Sequence, residues 1–137
     1  MGKIEVCVES VQSAVNAEKG GAHRLELCSA LTIGGMTPSV ALLEQVKDAV
    51  NIPVNCLIRS IPAGFLYTER EVTLMKGEIE KLKKSGADGF VIGCLTQDGH
   101  INIDHTSFRV DNFKIYNLLC RPRGYIYTVI IVNKTTV

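Results

Sequence analysis

Short apolar runs that read as strands alternate with helix-forming segments along this chain, and that alternation restricts the fold more than any other feature. Lys3 to Val8 is the first strand. Ser10 then caps a helix with Val11, Ala14 and Val15 on one side, and Gly20-Gly21 ends it. Arg24 to Ser29 is the second strand. Ile33-Gly34-Gly35-Met36-Thr37-Pro38 reads as a loop entering a helix, with Thr37 as cap, Pro38 in the first helical position, and Leu43, Val46 and Val50 as the buried stripe. Asn51-Ile52-Pro53 breaks that helix, and Val54 to Arg59 forms a third strand with Asn55, Leu57 and Arg59 on one face. Thr68-Glu69-Arg70-Glu71 is a capping box, followed by Val72, Met75, Ile79 and Leu82 at helical spacing up to Gly86. Ala87 to Leu95 is a fourth strand, closed by the Asp98-Gly99 turn, and a poorer helix is predicted over 105–119. Four consecutive βα units require a parallel sheet with right-handed crossovers, met in a (βα)8 barrel or in an open doubly wound sheet.

Composition narrows the function classes. At 137 residues, 46% hydrophobic and 21% charged, the chain has the make-up of one globular domain. Fifteen basic and fourteen acidic residues nearly cancel, so bulk charge points neither to nucleic acid nor to a membrane surface. No run reaches the roughly 20 apolar residues of a membrane span, and Glu5 interrupts any signal-like start, which predicts an intracellular protein without a membrane partner. The five cysteines, at 7, 28, 56, 94 and 120, are widely spaced and odd in number. Reduced thiols follow, rather than a disulfide framework or a CxxC zinc site.

Glu5-Val6-Cys7 and Glu26-Leu27-Cys28 repeat one spacing on neighbouring strands. Alternation puts Glu5 and Cys7 on one side of the first strand and Glu26 and Cys28 on one side of the second, with Ile4, Val6, Val8, Leu25 and Leu27 opposite. Two carboxylates and two thiols in one patch suit either acid–base chemistry or a soft metal ion. In the acid–base reading, Glu5 and Glu26 are the catalytic candidates, and Arg59 is predicted to approach Glu26 because neighbouring carboxylates need a cation. The plainer alternatives are an inward salt-bridge network and cysteines acting as small buried hydrophobes. Gly34-Gly35 before a helix start lacks the GxGxxG or Walker pattern, and a turn plus a cap accounts for it. His23 and His105 read as surface residues, while His100, after the Asp98-Gly99 turn, lies near the carboxyl end of a strand as an auxiliary ligand or proton carrier.

Several segments resemble the amino-terminal half of the CutC family of copper homeostasis proteins. They are Glu5-Val6-Cys7, Ala22-His23-Arg24-Leu25-Glu26-Leu27-Cys28, Gly34-Gly35-Met36-Thr37-Pro38-Ser39, Pro53 to Arg59, Gly86-Ala87-Asp88-Gly89 and Leu95-Thr96-Gln97-Asp98-Gly99, with Cys120-Arg121-Pro122 as a last island. The resemblance implies a TIM-barrel fold, binding of copper(I), a role in copper tolerance or trafficking, cytoplasmic and nuclear residence, and self-association. It points to Cys7 and Cys28 as the metal ligands. Copper(I) favours thiolate and thioether sulfur, and Met36 is an additional thioether candidate. Cys56 and Cys94 are expected to face the helices.

A full (βα)8 barrel takes about 250 residues. The expected fold class is therefore α/β, a partial TIM barrel of four βα units over residues 1–122, with a divergent strand-like tail over 123–137. After Pro122 the family would continue with a Phe-His-Arg-Ala-Phe-Asp motif, whereas this chain reads Arg123-Gly124-Tyr125-Ile126-Tyr127-Thr128-Val129-Ile130-Ile131-Val132-Asn133. That switch reads as an alternative transcript, a frameshift or a truncated product, and its apolar tail as a strand added at a sheet edge or a source of self-association. The leading functional expectation is a non-enzymatic copper(I)-binding protein. The alternatives are an enzyme fragment acting on a small phosphorylated or carbonyl substrate, and an inactive product that associates with full-length subunits.

Overall fold

Each apolar run becomes a short strand, and each amphipathic segment packs its apolar stripe on the same side of the sheet they form. The computed structural model describes residues 4–62, 64–106, 113–120 and 127–134, the last two segments as strand backbone. Strands β1 (Glu5–Val8), β2 (Arg24–Leu27), β3 (Val54–Ile58) and β4 (Gly89–Ile92) pair in parallel, and helices α1 (Val11–Lys19), α2 (Val40–Ala49), α3 (Glu69–Lys84) and the short α4 (Ile103–Thr106) follow them in turn. Two longer strands complete the sheet. Of these, β6 (Tyr127–Lys134) lies antiparallel to β4 and β5 (Phe113–Cys120) antiparallel to β6, giving the order β1-β2-β3-β4-β6-β5.

Strand alternation sorts the chemistry between two faces. Val8, Leu25, Leu27, Val54, Cys56, Ile58, Phe90 and Ile92 are buried in one core with Ala14, Leu43, Val46, Val72, Met75, Ile79 and Leu82 from the helices. The opposite face carries Glu5, Cys7, Arg24, Glu26, Asn55, Gly89 and Leu57. In the parallel register Cys7 stands beside Glu26, Glu26 beside Asn55, and Asn55 beside Gly89, one row across four strands.

Caps fix where the helices begin. Ser10 caps α1 as its sequence predicts and forms a reciprocal box with Ser13 that the sequence reading does not include, and Thr68 and Glu71 form the predicted box at α3. Gly20 caps the end of α1 and Gly21 follows at φ +89, a backbone region that favours glycine. The start of α2 differs from expectation. Ser39, not Thr37, accepts from Leu42 N–H, so the helix begins after Pro38 rather than with it. Thr37 is otherwise engaged, because its hydroxyl accepts from Arg59 N–H at 2.9 Å and donates to Glu78 Oε2 at 3.0 Å.

The expected helix over 105–119 is also corrected. Within the described residues helix extends only over Ile103–Thr106, and Phe113–Cys120 is a strand. An eight-residue ladder with β6 satisfies this backbone, and such pairing overrides a weak helical pattern. The apolar tail thus supplies a strand at the β4 edge, running opposite to the four before it.

Candidate functional site

The repeated Glu-x-Cys segments do not lie level. Cys7 pairs in register with Glu26, so the second repeat is displaced two residues towards the carboxyl end of the sheet. Glu26 consequently stands between the two thiols rather than beneath them. The Cys7 thiol donates to Glu26 Oε2 at 3.6 Å, and the Cys28 thiol, just beyond β2, lies 3.8 Å from Oε1 of the same carboxylate and 3.7 Å from its backbone oxygen. Cys7 is exposed and Cys28 is buried.

Below this cluster, towards the amino ends of the strands, Glu5 is ion-paired with the Arg24 guanidinium. Asn55 Nδ2 donates to Glu5 Oε2 at 3.4 Å, while the Asn55 side-chain oxygen is buried without a partner among the described residues. The inward salt bridge foreseen from sequence therefore exists, but its cation is Arg24. Arg24 was legible in principle, since it stands two residues before Glu26 and shares its face.

Arg59 is the principal correction. It is buried at 8% exposure, yet it forms no ion pair with Glu26, whose neighbouring cation is Arg24. Its Nη1 donates to the carbonyls of Ile33 at 3.0 Å and Gly35 at 2.9 Å, its Nη2 donates to Pro62 O at 2.9 Å, and its Cζ lies 5.4 Å from the centre of the Phe65 ring. Carbonyl dipoles and an aromatic face take the place of the expected carboxylate.

The electrostatics follow from burial and crowding. Glu26 has its pKa raised, first by burial and then by the Glu5 charge, against lowering contributions from the two thiols and Arg24. The Cys28 thiol is strongly raised, by its hydrogen bond with Cys7, by burial and by the Glu26 charge. Burial pushes Cys56 up to about 12 and Cys94 up to about 11, and both sit in the core as expected of structural cysteines. Cys120 has no described side chain. Met36 pairs its backbone with Ser29, which brings its loop back beside Cys28. His100 is exposed, 3.6 Å from Asp98. His23 accepts from Ile4 N–H, and His105 lies 2.8 Å from Glu69.

Fold and cluster together define an α/β protein of the (βα)-repeat class, half of a barrel in its parallel part, with thiols and a carboxylate gathered on the face away from the helices. Its sequence matches the CutC family over residues 2–112, and the chain belongs to that family. A human copper homeostasis protein cutC homolog is 57% identical over 99 residues, covering 72% of this chain and 36% of its own length. A Drosophila melanogaster protein of the same name is 45% identical over 103 residues, covering 74% of this chain and 39% of its own length. A crystal structure of a CutC protein from Streptococcus agalactiae superposes with a TM-score of 0.72 at 28% identity, covering 77% of this chain and 52% of that one. The chain thus spans about half or less of the proteins it matches.

Proposed function

We propose that this chain binds copper(I) through Cys7 and Cys28 and serves copper homeostasis in the reducing cytoplasm, where thiols and monovalent copper persist. The observation that carries this reading is the convergence of both thiols on the single Glu26 carboxylate, at 3.6 and 3.8 Å. Among the described residues no group of three or more His, Cys, Asp or Glu side chains is arranged to hold a metal ion. Two thiolates are the donor chemistry that a soft monovalent ion favours. Arg59 gives the acid–base alternative no support, since its guanidinium is committed to loop carbonyls.

Copper(I) would replace the thiol protons, so affinity should rise with pH, by about tenfold per unit for each proton released. The raised Cys28 thiol keeps that dependence in force across neutral pH. Copper(I) titration against a competing chelator under reducing conditions tests the proposal. The Cys7→Ser/Cys28→Ser double variant should lose stoichiometric binding, and Cys56→Ser or Cys94→Ser should retain it. Undiminished binding by the double variant would sink the site.

A further inference from the structure

The segment between β2 and α2 folds back over the thiol face. Ala30 at φ 51 and glycines 34 and 35 at φ +90 and +88 bend it into a tight crown around the short turn Leu31–Ile33. Its start is held by Glu9, which accepts from Leu31 N–H at 2.8 Å, and its end by the Ser29–Met36 backbone pairing. The tip has a separate anchor. Arg59 reaches it with two hydrogen bonds from Nη1, and the guanidinium lies so close under Gly34 that an added Cβ would stand 3.1 Å from Nη1. The third bond, to Pro62, and the Phe65 ring also hold the guanidinium, which ties the crown to the loop after β3.

What the crown covers is specific. A Cβ on Gly35 would lie 3.5 Å from Cys28 Sγ and 2.8 Å from Leu57 Cδ2, so the bare glycine backbone is the roof over that thiol. Cys28 is 1% exposed, whereas Cys7 is open. We infer that Arg59 is a positioning residue whose guanidinium locks the Ile33–Gly35 crown over Cys28, leaving Cys7 as the only open side of the thiol pair.

The roof itself does not depend on copper. Its consequence for copper rests on the reading above: an incoming ion, or a small thiol complex delivering one, meets Cys7 first and reaches Cys28 through it. Arg59 would thereby set the order of ligand engagement without touching the metal.

The test is site-resolved alkylation of the reduced, copper-free full chain with iodoacetamide, quantified by mass spectrometry at Cys7 and Cys28. In the unmodified chain Cys7 should label quickly and Cys28 slowly. Arg59→Met should speed Cys28 labelling by about tenfold or more, the scale expected when a charge-assisted bond no longer resists local opening, with Cys7 unchanged. Gly35→Ala, which presses on Leu57 and places alanine at φ +88, should reproduce the effect with Arg59 intact and carries the test if Arg59→Met does not fold. Leu43→Ala, a core change remote from the crown, supplies the control for general destabilisation. Equal Cys28 labelling in the parent and in either crown variant overturns the inference, as does an increase that Leu43→Ala reproduces. A chain that binds no copper but shows the selective change would refute the copper reading and leave Arg59's role standing.

Discussion

Glu26 is the residue on which the electrostatics of the thiol face turn. Burial and the neighbouring Glu5 charge raise its pKa from 4.5, so the folded state holds that proton more tightly than the unfolded chain does. The stability this group contributes is therefore full below the ordinary carboxyl range and is lost as pH rises through the raised value. Glu26→Gln removes the ionisation, and the difference in urea midpoint between variant and parent should favour the variant more at pH 7 than at pH 4. A difference independent of pH would refute this account. The same residue shows where sequence reading reached its limit. Alternation along one strand placed Glu5, Cys7, Glu26 and Cys28 on one face, but the offset between strands is a property of the pairing, and only the two-residue stagger sets Glu26 between the sulfurs. Arg59 illustrates a second limit. Its commitment to buried surroundings was readable from parity, whereas its partners are backbone carbonyls, which have no signature in residue type.

At the scale of elements, local signals succeeded where they were self-contained. The capping box and the stripe Val72, Met75, Ile79 and Leu82 define α3 within its own sequence, and the structure realises both. Thr68→Ala should cost about 1 kcal/mol in urea unfolding, the usual worth of a cap. Leu43→Ala, which empties a fully buried position on α2, should cost about 2–5 kcal/mol. Signals failed where a distant segment decided the outcome. Thr37 and Ser39 are both competent caps, and the choice fell to Ser39 because Arg59, just past β3, and Glu78 on α3 claim the Thr37 hydroxyl. Phe113–Cys120 carries residues compatible with either state, and its ladder with β6 made it a strand. Asp88 is a further long-range tie, accepting from Val54 N–H at 2.8 Å and from Lys47 Nζ at 2.6 Å, so that one carboxylate joins β3 and α2.

For the whole molecule, the parallel part is half of a barrel whose fourth strand is covered by β6. Truncation after residue 122 would remove β6 and strip the hydrogen-bonding edge of β4 along Gly89–Ile92. Stability should then fall by several kcal/mol, scaling at about 25 cal/mol per Å² of apolar surface uncovered, and light scattering should show a larger assembled fraction as that edge seeks another strand. A shortened chain that stays monomeric and equally stable would show that β6 contributes little. We also propose that the intact chain self-associates, because β1 ends the sheet with its outer edge unpaired among the described residues. The place of β1 at one end of the sheet has a further effect on such assembly. The sheet ends at β1 on one side and at β5 on the other, with four strands between them, and β1 is the end strand that carries Cys7. A subunit recruited at β1 would set its own side chains beside the exposed sulfur, so that docking and metal hand-over would compete for, or share, a single doorway.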